Sequence, residues 1–220
     1  MTQLEPQVHE SRDPVAEVRA LYDAAFPVKE TGVFSNRDWN RCRAALAHIR
    51  GPAVLDVGVG AGQMFNVLAR MPEIEKLIGV DISWNKKLIR PKRGTLRIGD
   101  ILHLEFEDAS FDTVLCMEVL EHLEPIDFPK ALHELRRVCG GTLIMTVPYN
   151  EPEPLWHHDR RGGHRQQFDE EKLERWFPLA ERQMVYRGKG TWPWIMLVER
   201  ARVRVPPRKG PEEAGSSSAG

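Results

Sequence analysis

Between residues 53 and 148 the chain alternates. Short apolar runs, AVLDVG (53–58), KLIGVDI (76–82), TLRIGDI (95–101), FDTVLCMEV (111–119) and TLIMTVP (142–148), are separated by helical or charged stretches. A strand that returns parallel to its predecessor needs a crossover, and a helix packed on the sheet is the usual one. The pattern predicts βαβ units in an α/β, doubly wound, mostly parallel sheet. FDTVLCMEV lacks polar alternation, as a strand covered on both faces should. Two later runs, ERQMVYRG (181–188) and TWPWIMLVER (191–200), read as an antiparallel hairpin at the sheet edge, giving seven strands.

Helical spacing accounts for the intervals. Val15, Val18, Leu21, Tyr22 and Ala25 predict an amphipathic helix over Pro14–Phe26. Ser35 and Asp38 cap a second helix through Trp39, Cys42, Leu46 and Ile49, which Gly51-Pro52 stops. Further helices are expected over Gln63–Arg70, from Phe128 through Leu132, Leu135 and Val138 to a stop at Gly140-Gly141, and over Asp169–Trp176. The chain has 220 residues, 41% of them apolar and 29% charged, which suits one well-cored domain. The boundaries follow as a flexible 1–12, a single domain over 13–205 and a disordered tail, PPRKGPEEAGSSSAG, over 206–220. Within the domain, 13–50 is a helical N-terminal extension, 53–148 the core, and 149–205 the substrate-side region with the edge strands.

Net charge is −1, so no global field draws the chain to nucleic acid or membrane. No apolar run approaches the ~20 residues of a membrane span, and the first residues lack the apolar core of a secretory signal. Cys42, Cys116 and Cys139 are odd in number and widely spaced, which reads as reduced thiols in a cytoplasmic protein.

In an open α/β sheet the ligand lies beyond the carboxyl ends of the strands. The first strand–helix turn is DVGVGAG, with Asp56, Gly58, Gly60 and Gly62. A dinucleotide fingerprint would need glycine or alanine at the sixth position counted from Gly58, where Gln63 stands, and no GK[ST] marks a P-loop. The second strand ends in GVDIS, where Asp81 can accept hydrogen bonds from a ribose diol. The third ends in GDI, where Asp100 and Ile101 can meet a base, and the fourth in CMEVLEHL.

The ordered set DVGVGAG, GVDIS, GDI, FDTVLCMEVLEHL and CGGTLIMTVP resembles the class I S-adenosylmethionine-dependent methyltransferases, with a methyltransferase type 11-like domain, over roughly Ala53–Pro148. The resemblance implies a Rossmann-like fold and an S-adenosyl-L-methionine cofactor whose amino-acid part sits on the glycine turn. Asp56, Gly58, Gly60 and Gly62 would line the methionyl and ribosyl part, and Asp81 would take the ribose hydroxyls with Ile82 beside it. Asp100 and Ile101 would flank adenine, and Cys116 and Glu118 would border the methionyl end.

Methyl transfer needs a nucleophile held at attack distance, and an oxygen nucleophile must also lose a proton, for which histidine is suited. LWHHDRRGGHRQQF follows the fifth strand and offers His157, His158 and His164; His158 or His164 is the expected base, with Tyr149, Trp156 and Trp194 enclosing the acceptor. Glu118, Glu121, His122 and His164 also resemble the metal-ligand set of the small-RNA 3′-terminal 2′-O-methyltransferases. The run WNKKLIRPKRGTLR, with Lys86, Lys87, Arg90, Lys92, Arg93 and Arg97, reads as a solvated face or an anion patch. No [DNS]PP[YFW] motif follows the fourth strand, which disfavours methylation of base amino groups. The expected activity is methylation of an oxygen on a small or medium-sized metabolite, without a metal. The alternatives are a metal-assisted RNA-end methyltransferase and a non-catalytic S-adenosylmethionine-binding module.

Overall fold

The computed structural model describes residues 36–84, 88, 91, 93–152, 163–185 and 193–200. The expected helix over 14–26, the terminal tails, His157, His158, Trp156 and Lys86, Lys87, Arg90 and Lys92 lie outside them.

Helix α1 (Asn36–Leu46) precedes β1 (Ala53–Val57), α2 (Gln63–Leu68), β2 (Lys76–Asp81), β3 (Thr95–Ile98) and β4 (Phe111–Met117). A 3₁₀ turn (Leu120–His122), α3 (Phe128–Val138), β5 (Cys139–Pro148), α4 (Glu170–Trp176), β6 (Glu181–Val185) and β7 (Trp194–Arg200) complete the order. The seven strands form one sheet in the order β3-β2-β1-β4-β5-β7-β6. β1 to β5 are parallel, and β7 pairs antiparallel with both β5 and β6. The doubly wound sheet and its antiparallel edge hairpin are as expected.

The central runs form strands because both faces are covered. On one side Leu55, Val57, Val114, Cys116, Leu143 and Met145 pack with the apolar stripe of α3. On the other, Val54, Leu115, Ile144 and Met196 pack with Phe65 of α2 and with Cys42 and Ala45 of α1. Single-residue alternation thus serves two cores at once.

Two boundaries differ from the sequence reading. α1 ends at Leu46, ahead of Gly51-Pro52. Gly140 and Gly141 lie within β5 and do not stop a helix. A Cβ on Gly140 would come within 2.9 Å of Ala109 O, and one on Gly141 would overlap Asp112 O, so close backbone approach selects glycine there.

Arg137, near the end of α3, fastens the β3–β4 connection. Its guanidinium donates to both oxygens of Glu134 (2.7 and 2.8 Å), to Leu104 O (2.8 Å), Phe106 O (2.7 Å) and Asp108 (3.0 Å). Glu134 in turn accepts from Leu104 N at 2.9 Å. The Arg137 hydrogen bonds hold the Glu134 carboxyl down at about 2, against an ordinary value of 4.5. A depressed carboxyl stabilises the fold above its unfolded value and loses that contribution as pH falls from about 4.5 towards 2. Arg137→Met leaves Glu134 without its cation and is expected to cost about 3 kcal/mol at neutral pH, because one member of a largely buried pair is orphaned. Urea unfolding at pH 7 and pH 3.5 checks this: the gap between wild type and variant should shrink in acid.

Candidate active site

The strand order reverses between β1 and β4, the point at which open sheets receive ligands. After β1 the chain turns sharply: Gly58 N donates to Val80 O (2.8 Å) and Gly62 N to Val59 O (2.9 Å). Gly58, Gly60 and Gly62 have φ of 82°, 54° and 78°, the left-handed region where side chains are disfavoured. A Cβ on Gly58 would overlap Val119 Cγ2, whereas one on Gly60 would meet nothing within 4 Å. The turn is thus pressed against the end of β4 on one side and open on the other.

At the end of β2, Asp81 reaches back to that turn. Its Oδ2 accepts from Gly60 N at 2.7 Å and its Oδ1 from Ser83 N at 3.2 Å. A carboxylate has about four acceptor directions, so one such side chain can serve backbone amides and ligand hydroxyls together. After β3, Asp100 Oδ1 accepts from Leu102 N at 2.8 Å, an Asx turn that holds the backbone beside Ile101, itself buried in the core.

Between these elements the charges are dense. Asp56 is 2% exposed and its Oδ2 has no hydrogen-bond partner among the described residues. Burial, then the Asp81 charge, raise its carboxyl to about 7, partly offset by Arg41. Cys116 is fully buried, and burial followed by the Glu121 and Asp56 charges push its thiol well above the ordinary value, so its side chain is filler. Glu118 follows β4 at φ 58°, a strained setting for a residue with a side chain, and its Oε2 lies 3.3 Å from Arg41 Nη1. The Arg41 guanidinium stacks 4.5 Å above the Trp194 ring.

The 3₁₀ turn then brings Glu121 and His122 to the same mouth. Glu121 is 1% exposed and neither carboxylate oxygen has a hydrogen-bond partner among the described residues. Burial, then the neighbouring Glu118, raise that carboxyl well above its ordinary range. His122 Nδ1 lies 3.4 Å from Gly163 O, and burial, then His164, hold its ring down at about 4, so it is neutral. The His122 and His164 rings meet edge to face at 5.0 Å. His164 Nδ1 meets the Oε2 of the buried Glu151. One ligand atom each from Glu121, His122 and His164 lies within 4.8 Å of the others, so these three could hold a metal ion.

Residues 55–145 match a family model described as a methyltransferase domain. Over that stretch, from β1 to β5, the chain is similar to methyltransferase domains. It is 33% identical over 141 residues to the demethylmenaquinone methyltransferase of Deinococcus radiodurans, covering 59% of this chain and 56% of that protein. It is 34% identical over 116 residues to the ubiquinone biosynthesis O-methyltransferase of Paracidovorax citrulli, covering 48% of each. The chain spans about half the length of the curated relatives it matches. Its fold is similar to the N-methyltransferase NodS from Bradyrhizobium japonicum, solved with S-adenosyl-L-homocysteine, at a TM-score of 0.63 and 17% identity over 83% of this chain and 97% of that one. No described helix is long and apolar enough to cross a membrane.

In this domain the residues read from sequence gather at one mouth: Asp56, the three glycines, Asp81 and Glu118, with Asp100 and Ile101 at the next strand end. Tyr149 and Trp194 are otherwise engaged. The Tyr149 hydroxyl donates to Glu170 at 3.0 Å, and Trp194 is buried beneath Arg41. Sequence reasoning missed Arg41 and Glu151. Arg41 is one of several cations on α1 and nothing in its spacing sets it apart. Glu151 sits next to the VPYN turn, where only the left-handed Asn150 (φ 48°) hints at a constrained backbone.

Proposed function

We propose that this protein binds S-adenosyl-L-methionine and moves its methyl group to an oxygen of a small or medium-sized acceptor. The observation that carries the reading is the Asp81–Gly60 bridge beside three left-handed glycines. It sets a carboxylate for a ribose diol against a bare backbone, with open space where a Cβ on Gly60 would stand. Bound there, the cofactor supplies an already activated sulfonium methyl.

The chain's residues then have separate tasks. Asp81 accepts from the ribose hydroxyls, with Ile82 beside it. Asp100 and Ile101 flank the adenine. The Gly58, Gly60 and Gly62 backbone, Asp56, Glu118 and the Cys116 backbone line the methionyl part. His164, oriented by Glu151, takes the acceptor's hydroxyl proton, the arrangement in which a carboxylate fixes an imidazole and supports its charged form. His158 remains the alternative base. The buried free thiols Cys42, Cys116 and Cys139 suit a reducing cytoplasm.

Calorimetric titration with S-adenosylmethionine and S-adenosylhomocysteine tests the cofactor assignment, and absence of affinity for both sinks it. Turnover on a panel of phenols, alcohols and amines tests the acceptor class, and binding without any turnover favours a non-catalytic module. His164→Ala should slow turnover at least tenfold with cofactor affinity unchanged.

A pH dependence follows from Asp56. Its carboxyl ionises near pH 7, and the anion attracts the methionyl ammonium while the acid does not. S-adenosylhomocysteine affinity should therefore rise with pH below 7, by at most about tenfold per unit since one proton is released. Asp56→Asn should flatten that slope; an unaltered slope in the variant assigns the effect elsewhere.

A second reading is favoured by one observation, the Glu121–His122–His164 cluster with its unpartnered buried carboxylate. An oxygen-and-imidazole donor set fits a borderline divalent ion, which would polarise an acceptor hydroxyl such as the terminal ribose diol of an RNA. Loss of turnover on RNA 3′ ends with a chelator, and recovery with a divalent ion, supports it. Chelator-insensitive turnover removes it.

A further inference from the structure

The turn carrying Glu121 and His122 is a single 3₁₀ turn of three residues, closed at its end by one long bond, Leu123 N to Leu120 O at 3.3 Å. Gln166 reinforces that end. It is 5% exposed, and its Nε2 donates to Leu120 O (2.6 Å) and Leu123 O (3.1 Å). An amide makes these bonds only if its oxygen faces the other way, and that oxygen needs a donor.

Lys172, in the first turn of α4, is that donor: its Nζ meets Gln166 Oε1. An ammonium only donates and a carbonyl only accepts, so the two ends together fix the amide in one orientation. The ammonium is itself held by the faces of Phe168 and Phe128, whose ring centroids lie 4.5 and 4.8 Å away. Its backbone is pinned as well, with Lys172 N donating to Asp169 Oδ1 at 2.9 Å.

We propose that Lys172 is a positioning residue, acting through the Gln166 amide to set the Glu121–His122 turn against the segment that bears His164. That segment closes the circuit, because Arg165 N donates to Glu121 O at 2.7 Å. The proposal deepens the acceptor-side reading of this cluster. It does not need a known acceptor, because its readout is the order of the turn itself.

Amide hydrogen exchange on the full chain tests it. In Lys172→Met the amides of His122 (bonded to Val119 O, 3.0 Å) and Arg165 should exchange at least tenfold faster than in wild type. Amides of β1 and β4 should keep their rates, and S-adenosylhomocysteine affinity should stay within twofold. Lys172→Arg, which keeps a cationic donor over the rings, should restore most of the protection. Gln166→Met should reproduce the local loosening, and the double variant should be no worse than either single. Unchanged exchange at His122 and Arg165 overturns the proposal. So does uniform acceleration throughout the domain in both Lys172→Met and Lys172→Arg, which would mark Lys172 as a contributor to global stability alone. Absence of S-adenosylhomocysteine binding in wild type would instead overturn the functional reading and leave this one standing.

Discussion

Asp81→Ala will weaken S-adenosylhomocysteine binding by about 100-fold or more, the largest loss expected from any single cofactor-side change. The proposed role has the carboxylate accept two ribose hydroxyls. Charge-assisted bonds of that kind contribute about 1.5–3 kcal/mol each, and about 3 kcal/mol in total is a factor of about 100. The side chain also anchors Gly60 N at 2.7 Å, so its removal frees the turn before any ligand arrives. Asp81→Asn is the sharper control. Its amide can keep an oxygen towards Gly60 only by turning its NH₂ group away, which leaves a donor where a second acceptor stood. Titration calorimetry reads both variants, and a melting curve close to wild type shows that the fold survives. A dissociation constant within threefold of wild type would remove Asp81 from the cofactor site.

Gly58→Ala should unfold the domain under conditions where Gly60→Ala does not. Both positions are left-handed, which costs a side chain roughly 1–2 kcal/mol. Only at Gly58 does the new Cβ also overlap Val119, and forced overpacking adds about 1–3 kcal/mol. Gly58→Ala should therefore cost about 2–5 kcal/mol in urea unfolding. The double variant Gly58→Ala, Val119→Ala should recover the steric share and keep the conformational one. Gly60→Ala points into open space and should cost only the conformational share, about 1–2 kcal/mol, yet fill room that the proposed cofactor occupies. Its signature is lost affinity with a smaller loss of stability than Gly58→Ala shows. The two glycines thus separate what the turn does for the fold from what it does for the ligand.

The central strands β1, β2, β4, β5 and β7 were legible because each is a compact apolar run that serves cores on both faces, and such runs leave a strong local signal. The helix-to-strand junction at 138–141 was misread because a glycine pair looks the same whether it ends a helix or lets two backbones approach. Only the neighbours Ala109 and Asp112, some 30 residues earlier in the chain, distinguish the cases. The cofactor side was legible through Asp56, Gly58, Gly60, Gly62 and Asp81, since βα turns place ligand contacts at fixed offsets from strand ends. The acceptor side was only half legible. His164 stood out as a histidine, but Glu151, Gln166 and Lys172 act through partners 6 to 46 residues away and carry no spacing of their own. Arg41 reaches Glu118 from a helix that precedes the whole sheet, a contact that depends on how α1 lies across it.

β7 is threaded between β5 and β6 although it follows both in the chain. Until Trp194–Arg200 emerges during synthesis, the outer margin of β5, Thr142 to Pro148, has no hydrogen-bonding neighbour. Most of that segment is aliphatic, so a stalled or clipped nascent chain presents a sticky template to other chains. Assembly of this sheet therefore depends on prompt delivery of β7, and slow translation between residues 148 and 194 would favour aggregation over completion.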